Sequence, residues 1–255
     1  VIKENTIYCK LMGQMGNQMF QIAAVIAHSL RHKKQYVFPQ RSGKRDQFPM
    51  MFPHLSTLHE YPLPINGFYR EEKFGRYFEI PQSANYLVGY FQSSKYFEDY
   101  LVKVIEAFQL PKYEQRLNET ISMHIRRGDS LSNERLNQPS LKYFHDAIEH
   151  FPDRYKVLIF TDDIVWAKEN FKGDRFTISD KQDPKSALTE MTSCIHHIIT
   201  NSTFSWWGAY LDLNTHSRYG GTVICPSKHT WFSDKYKEHL TAEDIVEDNW
   251  IQIDI

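Results

Sequence analysis

The chain has 255 residues, enough for one large domain or two small ones sharing a deep cleft. Hydrophobic residues make up 41% and charged residues 24%, which excludes an intrinsically disordered chain. The formal net charge of -1 leaves no global footprint for nucleic acid or an anionic membrane.

In chain order, Thr6 to Leu11 reads as a short strand and Met12-Gly13-Gln14-Met15-Gly16-Asn17 as a loop. Gln18 to His32 reads as a helix with Met19, Ile22, Val25, Ile26 and Leu30 on its apolar side. Strand, glycine loop and helix together open an α/β unit. Residues 40–95 scatter proline and aromatic side chains and predict irregular structure with short helices. Within them Tyr86 to Val88 is strand-like and runs into Gly89-Tyr90-Phe91-Gln92; a helix is expected from Tyr96 to Phe108. The aromatic content of 15% suits sugar-stacking surfaces and an aromatic-rich core equally well.

The second half alternates regularly. Strands are predicted at Ile121–Ile125, Val157–Phe160, Phe176–Ile178, His197–Thr200 and Thr222–Cys225. Helices are predicted at Leu141–Phe151, Ile164–Phe171, Ser186–Cys194 and Trp206–Leu213. This alternation implies a mostly parallel sheet covered on both faces. The polar stretch from Lys112 to Asn118 marks a boundary, giving lobes at residues 1–115 and 116–255, with the last helix free to pack back on the first.

Cys9, Cys194 and Cys225 are far apart and show no metal or redox spacing, so they read as small apolar core residues in a reducing compartment. No signal peptide opens the chain and no run reaches the roughly 20 apolar residues of a spanning helix. A cytoplasmic location is the expectation unless a membrane anchor precedes Val1. Peripheral contact with membranes carrying lipid-linked glycans stays compatible with it.

Four segments carry candidate chemistry. His124-Ile125-Arg126-Arg127-Gly128-Asp129 follows a strand, at the edge where open α/β sheets bind ligands. A guanidinium there suits a pyrophosphate, although an ion-paired turn accounts for the same residues. Asn201-Ser202-Thr203-Phe204-Ser205-Trp206-Trp207-Gly208 passes from a strand end into a helix start, an anion site or simply a well-capped helix. Asp163, in Thr161-Asp162-Asp163, either accepts from nucleoside hydroxyl and N–H groups or caps the next helix. Adjacent acids diverge, so the pair is a poor metal chelate. In the Gly13–Gln18 loop, glycines allow close backbone approach while Asn17 and Gln18 offer donors and acceptors. No dinucleotide fingerprint or Walker loop is present.

Together these segments resemble the α-1,2-fucosyltransferase family. Gly13-Gln14-Met15-Gly16-Asn17-Gln18-Met19-Phe20-Gln21, His124 to Asp129, Thr161-Asp162-Asp163 and Asn201 to Ala209 occur in the family's order, with Gln14-Met15 where the family commonly has Gly-Leu. The resemblance implies an α/β fold of two facing Rossmann-like lobes (GT-B type) with parallel sheets, and a metal-independent, inverting transfer from GDP-fucose to a β-galactoside. It implies no cofactor beyond that donor and no metal ligand. The expected catalytic residues are Arg126, Asn17 and Asp129, the last only as the best candidate for a base. Donor contacts are expected from Gly16, Gln18, His124, Arg126, Asp163, Asn201, Ser202, Thr203 and Ser205. The unaligned aromatic stretch Phe48–Phe91 is expected to read the acceptor. Rival readings are a fucosyltransferase of another linkage or with a protein acceptor, and a non-catalytic sugar-binding module.

Overall fold

The computed structural model describes residues 6–39, 51–55, 57–58, 65–111, 115–181, 183–212 and 220–255. The chain divides into two units: Val1–Gln109 with His239–Ile245, and Leu110–Glu238 with Val246–Ile255.

Unit 1 is built on a parallel three-stranded sheet in which β5 (Tyr86–Val88) lies between β1 (Tyr8–Cys9) and β4 (Phe68–Arg70). Beside it β2 (Phe38–Pro39) and β3 (Thr57–Leu58) form a parallel pair. Helix α1 (Met15–Arg31) buries nearly its whole circumference, including Met19, Phe20, Ala23, Ala24 and Ala27, as a core helix does. It begins at Met15, three residues before the start predicted from periodicity. The first turn contributes N–H groups that have no intrahelical acceptor, so Gly16 and Asn17 sit there without breaking the pattern. Two 3-10 turns, Ser94–Tyr96 and Glu98–Tyr100, precede α2 (Leu101–Phe108), which is therefore shorter than expected. The segment His239–Ile245 is strapped to unit 1 by main-chain bonds from Thr241 to Phe74 (3.2 Å) and from Asp244 to Gly75 (3.0 Å). The Asp244 carboxylate also accepts the Tyr77 N–H at 2.8 Å.

Unit 2 contains a six-stranded parallel sheet of β6 (Leu117–Ile125), β7 (Lys156–Thr161), β8 (Phe176–Ile178), β9 (Cys194–Ile198), β10 (Val223–Pro226) and β11 (Ile251–Ile253). Their spatial order is β11-β10-β9-β6-β7-β8. From β6 the chain adds β7 and β8 on one side, then returns to set β9 against the other side of β6. That reversal makes a switch point, and ligand crevices in such sheets open there, beyond the carboxyl ends of the strands. Strand β11 escapes sequence reading because Ile251 and Gln252 are exposed and the strand has only three residues.

The crossovers use α3 (Leu141–Glu149), α4 (Ile164–Asn170), α5 (Pro184–Ser193) and α6 (Thr203–Tyr210). Side chains of Ser140, Asp163 and Asp183 cap the first three by accepting from Tyr143, Trp166 and Ser186 N–H groups. Alternation along β6 puts Ile121, Met123 and Ile125 on one face, against Tyr143, Phe144 and Ala147 of α3. On the other face Phe160 packs with Ala187 and Met191 of α5. Trp206 and Trp207 are fully buried, Trp206 stacking on Tyr210 with ring centroids 4.4 Å apart. Their aromaticity fills the core and offers no surface to a sugar. All three cysteines are buried free thiols. Among the described residues no helix is long and apolar enough to cross a membrane.

Candidate active site

The carboxyl edge of the unit 2 sheet gathers the exits of β6, β7 and β9. Register pairs Ile125 with Thr161 and Met123 with Ile198, so the Arg126 turn lies between the Asp162 loop and the Thr200–Ser202 loop. The two arginines of the turn are used differently. Arg126 donates from Nη2 to Asp129 Oδ1 at 2.6 Å, with its side chain 26% exposed. Arg127 is built in: Nε donates to Asp163 Oδ2 at 3.1 Å, and its guanidinium lies 4.3 Å from the centre of the Trp166 ring. The Arg127 N–H also donates to Asp162 Oδ1 at 2.8 Å.

Asp163 is committed on both oxygens, one to Arg127 and the other to the Trp166 N–H at 3.1 Å as the cap of α4. Asp129 serves as the counter-ion of Arg126. Glu134, the other carboxylate on this loop, pairs with Lys235 at 2.9 Å.

His124 is buried beneath the turn, its Nδ1 lying 3.3 Å from Thr200 Oγ1 and its ring 5.5 Å from that of Phe204. Burial first, and then the charge of Arg126, pushes its pKa down to about 3, so the imidazole is neutral at physiological pH. It supplies a neutral ring and no charge.

The segment after β9 divides its work in a way its sequence conceals. Asn201 donates from Nδ2 to the carbonyls of Asn137 (2.6 Å) and Trp231 (2.9 Å). Asn137 in turn donates to the carbonyls of Thr230 (2.7 Å) and Phe232 (3.1 Å). This double clasp ties together the loops that leave β6, β9 and β10. Ser205 is fully buried and its hydroxyl donates to the Ser202 carbonyl at 3.1 Å. Helix α6 starts at Thr203 after Ser202 in extended conformation, and the Ser202 side chain makes no capping hydrogen bond. Backbone N–H groups at such a start favour an anion. Asn137 carries no local signal in sequence, because its acceptors lie more than 90 residues away.

The clasp yields an expected result. Replacing Asn201 by alanine strips a buried and a part-buried carbonyl of a donor, and should cost about 1–3 kcal/mol. Urea unfolding of the variant checks this; an unchanged midpoint would show that the clasp holds nothing.

In unit 1, Gly13 adopts φ +73, where only glycine is at ease, and a β-carbon there would run into the Asn17 side chain. Asn17 Oδ1 accepts from Gln92 Nε2 at 2.8 Å. Gln18 is buried and donates to the Gly13 carbonyl at 3.1 Å, while Gln21 grips both main-chain groups of Met12. Gly16 is buried in the first turn of α1. The site residues expected from sequence therefore form two groups: Gly16, Asn17 and Gln18 on unit 1, and His124, Arg126, Asp129, Asp163 and Asn201–Ser205 on unit 2. The acceptor-reading stretch is described only in part; Phe48 and Tyr61 lie outside the described residues. Of its other aromatics, Phe52, Tyr69 and Phe91 are buried, and Phe68 is exposed.

Two parallel α/β units, the second carrying an arginine turn and a helix start at its switch point, make an architecture of the GT-B fold class. Residues 66–254 match glycosyl transferase family 11, and the chain belongs to that family. It is 28% identical to an α-1,2-colitosyltransferase of Escherichia coli, across 97% of this chain and 99% of that protein. It is 22% identical to galactoside α-(1,2)-fucosyltransferase 2 of Bos taurus, across 95% of this chain and 77% of that protein. Among solved structures, the NodZ α-1,6-fucosyltransferase soaked with GDP-fucose superposes with a TM-score of 0.52 at 15% identity. That match covers 82% of this chain and 93% of NodZ.

Proposed function

We propose that the protein transfers L-fucose from GDP-β-L-fucose to the 2-hydroxyl of a terminal β-galactoside, inverting the anomeric carbon. The observation that carries this reading is that the Arg126 guanidinium and the start of α6 follow the neighbouring strands β6 and β9 at the same edge of the sheet. In the transfer, the bond from the anomeric carbon to the β-phosphate oxygen breaks and negative charge grows on GDP. Arg126 and the N–H groups of α6 face that charge, and Asp129 orients Arg126. The acceptor oxygen attacks from the opposite side and releases its proton to solvent. In this reading unit 2 holds the donor, unit 1 reads the acceptor, and Asn17 takes part in the transfer.

Incubation with GDP-fucose and a panel of β-galactosides, followed by linkage analysis of the product, tests the reading. An α-1,3- or α-1,6-linked product would replace it. The colitosyltransferase relative favours a second donor, one that carries colitose, which belongs in the same panel. Absence of heat on titration with GDP would instead leave a sugar-binding module.

Transfer is expected to persist in excess EDTA, because a fixed guanidinium and helix N–H groups supply the positive charge. Among the described residues no three His, Cys, Asp or Glu side chains gather closely enough to hold a metal ion. Turnover lost to EDTA and restored by Mg²⁺ or Mn²⁺ would overturn this mechanism.

A further inference from the structure

The loop that leaves β5 in unit 1 is gripped by a carboxylate from the neighbouring strand. Glu71 follows β4 directly, and its N–H still pairs with the Val88 carbonyl at 2.9 Å. Its side chain crosses to the exit of β5, where Oε2 accepts the Tyr90 N–H at 2.7 Å and Oε1 the Phe91 N–H at 3.1 Å. Gly89 permits this close approach: a β-carbon there would lie 2.5 Å from Glu71 Cβ and 3.0 Å from its Oε2. Phe91 then takes φ +53, a left-handed conformation that is strained for a bulky residue. Its buried ring, packed 5.3 Å from Tyr96, and the two bonds to Glu71 hold it there. The next residue is Gln92, the donor to Asn17.

We infer that Glu71 is a positioning residue, setting the Asn17 side chain at the start of α1 through the turn Gly89–Gln92. The inference rests on the reading that Asn17 takes part in the transfer. Glu71 has no other described hydrogen-bond partner that would explain a half-buried carboxylate, and a carboxylate is the one side chain that accepts from two consecutive N–H groups without presenting a donor to either. Burial raises its pKa to about 7 against the pull of those two N–H groups. Loss of charge in Glu71→Gln is therefore a modest perturbation, and the variant chiefly turns one amide NH2 against a backbone N–H.

The experiment is a double-mutant cycle between Glu71→Gln and Asn17→Ala, read in kcat and in the dissociation constant of GDP. Glu71→Gln should lower kcat about tenfold, leave GDP affinity unchanged, and add nothing to the loss in Asn17→Ala. Glu71→Asp, which keeps the carboxylate, should recover part of the rate. Additive losses, or a loss confined to thermal stability, would overturn the inference. The side-chain amide signal of Asn17 in NMR provides a readout independent of turnover. It should shift in Glu71→Gln and in Gln92→Ala, a variant that leaves the turn itself intact. A signal that moves in Gln92→Ala but not in Glu71→Gln refutes the coupling even if the protein proves to catalyse another reaction, whereas absent fucosyl transfer with a signal shifted in Glu71→Gln refutes the function alone.

Discussion

Arg126→Lys is expected to lose most of the transfer rate, about 10²–10³, with the fold unchanged. Lysine keeps the charge but loses the planar fork that holds two phosphate oxygens at once. The ammonium also hydrates more strongly and has no second nitrogen with which to stay on Asp129. Arg126 is partly exposed at 26% and its ion pair with Asp129, itself 60% exposed, lies at the surface, so stability should move by less than about 0.5 kcal/mol. Arg127→Lys provides the contrast. It removes the stacking on Trp166 and the Asp163 pair, so it should loosen the start of α4 and lower the melting temperature. Steady-state rates and thermal melts on both variants separate the roles. Near-complete activity in Arg126→Lys would eliminate the pyrophosphate clamp.

The largest expected loss of stability lies at the opposite edge of the same sheet. Asp212 is 2% exposed and receives both terminal nitrogens of Arg116, at 3.0 and 2.9 Å. His197 Nε2 lies 3.2 Å from the same carboxylate, and Ser122 Oγ lies 2.7 Å from His197 Nδ1. Burial keeps His197 below its ordinary pKa despite the carboxylate. The neutral ring that fits donates from Nε2 to Asp212 and accepts the Ser122 hydroxyl at Nδ1. The order Ser–His–Asp is that of a nucleophile triad, but Ser122 is only 1% exposed and no substrate reaches it. The row is structural. Asp212→Ala should cost about 3–5 kcal/mol, because it strands a guanidinium and an imidazole N–H. Asp212→Asn should cost less, since one acceptor oxygen survives. Denaturant unfolding followed by tryptophan fluorescence measures both, Trp206 and Trp207 being buried on the neighbouring helix. A change below about 1 kcal/mol in Asp212→Ala would remove the row as a determinant of stability.

The sequence by itself determined the layered α/β class, because period-two apolar runs and amphipathic helices are local properties of the chain. Ile121, Met123 and Ile125 declare a strand face without help from any partner. The motifs at the strand ends, and with them the family resemblance, were equally legible. Tertiary structure alone decided what each polar motif residue does. Asn201 and Ser205 offered the same chemistry for a ligand as for the protein, and the fold gave their hydrogen bonds to Asn137, Trp231 and Ser202. It likewise gave Asp163 to Arg127 and α4, Gln18 to Gly13, and the Trp206-Trp207 pair to the core. It revealed Gln92, Asn137 and Glu71, none of which stands in a recognisable pattern. The physical reason is one of range. Propensity and periodicity act over a few residues, whereas a donor taken out of water must find its acceptor wherever the chain crossings bring one, here 167 residues away along the chain for the Tyr77 N–H and Asp244.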